Sequence, residues 1–292
     1  MPKIIYSPKY EVDLGEQHPF VTSKYRLVKE KLESELEGLE FIEPQNKDVV
    51  NILYEVHTKR YVEKVLNLRL SYFEILRLET PLTEEIKNAA LVAVAGTILA
   101  AELAVKDKVG IHVGGGFHHA YPDHGEGFCI FNDIACAIKY LEKYHGIKKF
   151  AVVDLDVHQG NGTAKIFASC KNVFTYSIHQ EEIYPFPKEK SSLDVGLPAF
   201  TTDEEYINVL KETIKEVIRF NPEVVFYQAG ADIYERDRLA QLRVTKYGIK
   251  RRDEIVKEAF KNKPIILALG GGYAFDVNDT VEIHCNTIKV FL

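Results

Sequence analysis

No two of the four cysteines in this 292-residue chain, Cys129, Cys136, Cys170 and Cys285, stand in a C-x-x-C spacing, and four is too few for a disulfide framework. A cysteine-ligated zinc site is therefore not expected, and a reduced, cytoplasmic setting is. Long apolar runs are lacking as well. The longest, Ala89 to Ala101, is interrupted by Gly96 and Thr97 and reads as too short to span a bilayer. The N-terminal Met1-Pro2-Lys3-Ile4-Ile5-Tyr6 has no signal-peptide apolar core, so a soluble protein without membrane association is expected. Positive charge is not in surplus either. With 37 basic and 43 acidic residues and a net charge of -6, a broad nucleic-acid or anionic-membrane surface is argued against. No repeat, low-complexity tract or Pro/Gly/Ser linker divides the chain, and one domain over residues 1–292 is expected.

What is present is a core. Hydrophobic residues make up 46% of the chain and charged residues 27%, spread without a long polar tract. From about Val109 onward, apolar β-rich runs alternate with glycine-bearing turns and helical stretches. The runs are 109–113, 150–154, 172–177, 223–228 and 264–269, and their continuous apolarity predicts a parallel sheet covered on both faces. Thr202 with Glu205 forms a capping box for a helix ending near Asn221-Pro222, and Thr83 starts an Ala-rich helix reaching about Val105.

The chemistry collects where strands stop. Val152-Val153-Asp154-Leu155-Asp156-Val157-His158 reads as a strand that projects three polar groups to one side at its end. Two buried, unpaired carboxylates there would each cost roughly several kcal/mol, and a divalent cation is the simplest compensation. Three further strand ends carry Gly114-Gly115-Gly116-Phe117-His118-His119, Ala229-Gly230-Ala231-Asp232 and Gly270-Gly271-Gly272-Tyr273. Ligands of open parallel sheets bind at the carboxyl ends of strands, so these loops are expected to share one rim. Asp156, His158 and Asp232 are the candidate metal ligands, leaving positions open for water and substrate; the donor set suits Zn²⁺ or Fe²⁺ alike. His118 and His119 are candidate proton carriers, and Tyr273 a hydroxyl donor to a developing oxyanion.

These residues carry a family resemblance. Gly114 to Ala120, Gly127-Phe128-Cys129-Ile130-Phe131-Asn132-Asp133, Asp154 to Gly162, Gly230-Ala231-Asp232 and Gly270 to Tyr273, together with Val56-His57-Thr58 and Tyr61-Val62, resemble the histone deacetylase family in order and over most of the chain. The resemblance implies a three-layer α/β/α fold of the arginase/deacetylase type, with a mostly parallel central sheet of about eight strands. It implies a zinc-dependent amide hydrolase acting on acylated lysine or a similar acylated amine, His119 activating water and Tyr273 stabilising the oxyanion. His118 would be oriented by Asp154 and act electrostatically. A structural K⁺ or Na⁺ would lie at Asp154, Ser177 and the carbonyls around Asp156, His158 and Ile178. Gly127, Phe128, Ile183 and Tyr184 would wall a narrow acyl-amine tunnel.

The sequence departs from most of the family at Gln159-Gly160-Asn161-Gly162, where Asn161 stands in place of the Asp that partners the general-base histidine. An amide accepts the same hydrogen bond without charge, which lowers the basicity expected of His119. With Tyr6-Ser7-Pro8, Tyr10 and His18-Pro19-Phe20, this pattern is similar to the class IV branch. Asp237-Arg238-Leu239-Ala240 is a second departure, and no acidic substrate-gripping residue is legible in the short segment 68–80. The expectation is a protein deacylase. The alternatives are a deacetylase of small amines such as acetylpolyamines, a non-catalytic acyl-lysine scaffold, and a binuclear manganese hydrolase of arginase type, which would need further bridging ligands.

Overall fold

Strands that are apolar on both faces can be buried only between two layers, and the structure has that form. The computed structural model describes residues 3–15, 17–45 and 49–292; Met1 and Pro2 of the N-terminal segment lie outside them. Eight strands occur among the described residues: β1 (Lys3–Ile5), β2 (Glu40–Ile42), β3 (Val109–His112), β4 (Phe150–Asp154), β5 (Val173–Gln180), β6 (Leu193–Leu197), β7 (Val224–Gln228) and β8 (Ile265–Ala268). They form one sheet in the order β2-β1-β3-β8-β7-β4-β5-β6, and every neighbouring pair is parallel. The sheet is thus wholly parallel.

Ten α-helices occur with it among the described residues: α1 (Lys24–Glu35), α2 (Val49–Val56), α3 (Lys59–Leu66), α4 (Tyr72–Leu78), α5 (Glu84–Asp107), α6 (Asp133–Tyr144), α7 (Asn161–Phe167), α8 (Asp203–Phe220), α9 (Lys246–Ala259) and α10 (Val277–Phe291). Alternate strand residues feed two cores. Ala151, Val153, Val225, Tyr227, Ile265 and Leu267 pack with α1, α8, α9 and α10. Phe150, Val152, Val224, Phe226 and Ile266 pack with α2, α3, α5 and α6. Each such Val, Leu or Ile contributes roughly 1.5–3 kcal/mol when fully buried.

The Ala-rich helix is longer than its apolar run, at 24 residues, and is long and apolar enough to cross a membrane by length and composition. Its apolarity has another use here: Leu91 to Ala104 pack between the sheet and α6. Thr83 accepts the Ile86 N–H as expected, and the helix runs on to Asp107 because Lys108 ends it in a left-handed conformation (φ 74°). At α8, Glu205 Oε2 accepts both the backbone N–H and the hydroxyl of Thr202, each at 2.8 Å, and Asn221 closes the helix ahead of Pro222.

One expectation fails: β4 stops at Asp154 and does not continue to His158. Past that point the backbone bonds to its own side chains, the Asp156 N–H donating to Asp154 Oδ1 (3.2 Å) and the His158 N–H to Asp156 Oδ1 (3.1 Å). Such local bonds compete with ladder pairing and curl the chain. The polar residues therefore converge by a folded loop, not by strand alternation.

Candidate active site

The loops after β3, β8, β7 and β4 leave four consecutive strands in the middle of the sheet. From β4 the chain moves outward to β5 and β6, then returns on the other side as β7, so the β4 and β7 loops diverge at a topological switch point, where such sheets leave a crevice. Asp156 and His158 come from one of these loops and Asp232 from the other. All three are buried, and one ligand atom from each falls within 4.8 Å of the others. His158 Nδ1 lies 3.4 Å from both Asp156 Oδ1 and Asp232 Oδ2.

Each carboxylate is held by backbone. The Gly271 N–H donates to Asp156 Oδ2 (2.8 Å) and the Val157 N–H to Asp232 Oδ1 (2.9 Å). Asp232 Oδ2 makes no well-aligned hydrogen bond, its nearest donor being His158 Nδ1 at 3.4 Å. Burial first, then the Asp156 charge, raises Asp232 to about 7; burial opposes charge on His158, but Asp156 and Asp232 outweigh it and push the imidazole to about 10. A buried acid without a well-aligned donor beside a second carboxylate is the electrostatic condition that a divalent cation relieves, so the residues present fit one.

Two imidazoles approach from the β3 loop, where Gly115 (φ 68°) and Gly116 (φ 87°) take left-handed conformations and bring the chain across the crevice. Asp133 secures this loop by accepting the Gly116 and Phe117 N–H groups at 2.9 and 2.7 Å. His118 Nδ1 is 2.7 Å from Asp154 Oδ2, and its Nε2 is 3.8 Å from Asp156 Oδ1. Burial disfavours its charge, yet Asp154 and Asp156 prevail and raise it to about 9. His119 Nδ1 meets Asn161 Oδ1 at 2.6 Å. Burial and the neighbouring His118 and His158 hold His119 well below the ordinary histidine range. The adjacent rings thus have opposite tendencies, His118 toward the charged form and His119 toward the neutral one.

Tyr273 follows β8, its N–H donating to Asp237 Oδ2 (2.7 Å). Burial, then the Asp156 and Asp232 charges, keeps its phenol protonated. A narrow cleft is lined by His118, His119, Asp156, His158, Gly271 and Tyr273, with Gly127 and Phe128 on its wall. Tyr184 stands outside that lining but sets its ring 5.0 Å from His119; Ile183 packs on the apolar core. Ser177 is paired in register with Asp154 across β5 and β4, with Ile178 next to it.

Three residues close to the site escaped the sequence reading. Glu126 Oε1 accepts from Asn161 Nδ2 (2.8 Å) and from the Tyr184 hydroxyl (2.9 Å). Lys24, fully buried, donates to the Gly270 carbonyl (3.0 Å) and sits 5.5 Å from the Tyr273 ring centre. Arg252 Nη1 donates to the carbonyls of Leu155 (3.3 Å) and Gly230 (2.6 Å), bracing both ligand loops from below. Glu126 alone carried a signal, since it directly precedes the Gly127-Phe128 pair.

A parallel α/β/α sandwich with an Asp-His-Asp cluster and a histidine pair at its switch point defines a hydrolase-type metal-site architecture. The Histone deacetylase domain profile matches residues 18–288. An uncharacterized protein of Picosynechococcus sp. is 35% identical over 286 residues, 96% of this chain and 95% of that relative. Histone deacetylase 2 of Arabidopsis thaliana is 32% identical over 291 residues, 92% of this chain and 74% of its own length. The crystal structure of the HDA15 HD domain superposes with a TM-score of 0.85 at 25% identity, over 100% of this chain and 89% of that one. The chain belongs to the histone deacetylase family.

Proposed function

We propose that this protein is a metal-dependent hydrolase removing acetyl or longer acyl groups from acylated lysine. The observation that carries the reading is the meeting in one cleft of three buried ligand-type groups, two imidazoles each anchored through Nδ1 by a buried partner, and the Tyr273 phenol. Asp156, His158 through Nδ1, and Asp232 would hold Zn²⁺, with Fe²⁺ the alternative for the same donor set. The bound ion supplies Lewis-acid polarisation of the amide carbonyl. His119 Nε2 takes the proton of the attacking water and returns it to the departing amine. His118, charged and held by Asp154, stabilises negative charge nearby, and the Tyr273 hydroxyl donates to the oxyanion. A K⁺ or Na⁺ at Asp154, Ser177 and the carbonyls of Asp156, His158 and Ile178 belongs to the same reading, supported by the register of β4 and β5.

Gly127, Phe128 and Tyr184 are assigned to the substrate wall, Ile183 to its support. A second, apolar hollow shares Phe20, Tyr25, Gly115, Phe117 and Phe128 with this cleft, so apolar surface adjoins the proposed acyl position. Gln159-Gly160-Asn161-Gly162 supports the class IV branch. The test is hydrolysis by zinc- or iron-reconstituted protein of acetyl-, decanoyl- and myristoyl-lysine peptides and acetylpolyamines. Turnover of the peptides supports the reading, turnover of the polyamines alone moves the substrate to small amines, and no turnover of any member refutes it.

A further inference from the structure

We infer that Glu126 is a positioning residue for the reaction: from behind Asn161 it supplies the negative charge that Asn161 lacks and fixes the tautomer in which His119 works. The inference rests on reading His119 as the general base.

A carboxylate only accepts, so the 2.8 Å contact between Asn161 and Glu126 Oε1 commits the amide nitrogen to Glu126. That leaves Asn161 Oδ1 facing His119 Nδ1 at 2.6 Å. An amide oxygen also only accepts, so Nδ1 carries the proton and Nε2 keeps the lone pair that abstracts a proton from water. Turned by 180°, the same amide would offer N–H to His119, favour the opposite tautomer and place a proton on Nε2. Asn161 alone does not decide between these states; Glu126 does.

The second part is charge. As His119 becomes imidazolium, an amide stabilises it only as a dipole, whereas a carboxylate hydrogen-bonded to the far side of that amide polarises it and adds a field of its own. Glu126 remains ionised: burial opposes this, but bonds from His124, Tyr184 and Asn161 hold it below the usual carboxylate range. The surrounding groups are His124, whose Nε2 is 3.5 Å from Oε2 and whose Nδ1 meets Asp123 at 2.7 Å, and the Tyr184 hydroxyl on Oε1. Tyr121, whose hydroxyl is 3.3 Å from Asn161 Nδ2, donates to Glu189. Glu79 is a further acid whose own pKa Glu126 helps to raise. The His119-Asn161-Glu126 chain thus carries, one residue further out, the charge that an aspartate would carry in direct contact with the histidine.

The inference makes a prediction that general loss of packing does not. Asn161→Asp alone sets a second carboxylate against Glu126 across a 2.8 Å contact, whereas Asn161→Asp with Glu126→Gln moves the single charge inward and restores a donor-acceptor pair. Wild type, E126Q, N161D and N161D/E126Q are compared for kcat and KM on a peptide that the wild type hydrolyses. The His119 Nδ1–H resonance is followed by ¹⁵N-edited NMR, and thermal melts confirm folding. E126Q is expected to lower kcat roughly tenfold, part of the roughly 10²–10⁴ a general base supplies, with KM within about twofold. N161D/E126Q is expected to exceed N161D by about tenfold or more. The Nδ1–H resonance should move upfield in E126Q. Independent effects of the two substitutions on kcat, or an unmoved resonance, overturn the inference. If a variant carrying N161D fails to fold, E126Q and its NMR shift decide. A wild type inactive on every acylated amine overturns the functional reading, and the NMR arm then judges Glu126 on its own.

Discussion

Replacing Gly271 by alanine tests the metal centre with the least change in chemistry. Its backbone is not in a left-handed conformation, unlike Gly270 and Gly272, so alanine adds no dihedral strain. The added Cβ, however, would collide with Asp232 Oδ2 and lie 2.8 Å from Asp156 Oδ2. Both ligands are backed by backbone donors and cannot rotate away without losing them. Either Asp232 turns out of the cluster or the loop bearing Tyr273 recedes. Disturbed ligand support costs metal affinity about 10–100-fold, which is about 1.4–2.7 kcal/mol, and overpacking costs folding stability about 1–3 kcal/mol. A competition titration of Zn²⁺ against a chromophoric chelator, with thermal melts in chelator alone, separates the two. An affinity within about twofold of wild type would show that Asp156 and Asp232 are not joint ligands.

Chelation should abolish activity and addition of Zn²⁺ or Fe²⁺ restore it, with one equivalent per chain by elemental analysis; two equivalents would revive a binuclear site. Arg252→Met should destabilise the fold by about 3–5 kcal/mol in denaturant titrations, because buried Asp253 loses its cation, and Asp253→Asn added to it should recover part of the loss. Burial holds His57 near 4, against an ordinary value of 6.5. The unfolded chain therefore binds a proton that the folded chain refuses between these values, and this stability, full above 6.5, is lost as pH falls toward 4. The contribution is about 3 kcal/mol, and His57→Asn should flatten the dependence of the unfolding midpoint on pH over that window.

Five strands could be read from the sequence because each is a continuous apolar run buried on both faces. β1 and β2 could not, being three residues long, and β6 escaped because its alternating exposure at the sheet edge breaks the apolar run. The site was legible for the same reason as the strands: each glycine-marked run of His, Asp or Tyr directly follows an apolar stretch, and parallel topology gathers such ends. The curl after Asp154 was not, since side-chain bonds there override strand alternation. Arg252 and Lys24 stayed hidden because the carbonyls of Leu155 and Gly270 that they hold are 97 and 246 residues away, distances that no local pattern encodes, while Glu126, 35 residues from Asn161, was marked only by its place before Gly127-Phe128.

The order of strands has a consequence for what holds the site together. β3 and β7 are each hydrogen-bonded to β8 and not to one another. Without β8 the hydrogen-bonded ladder would divide into two parts, β2-β1-β3 and β7-β4-β5-β6. His118 and His119 belong to the first part; Asp156, His158 and Asp232 belong to the second. β8 is thus the strand that joins the part bearing the histidine pair to the part bearing the Asp-His-Asp cluster, and the loop that follows it bears Tyr273.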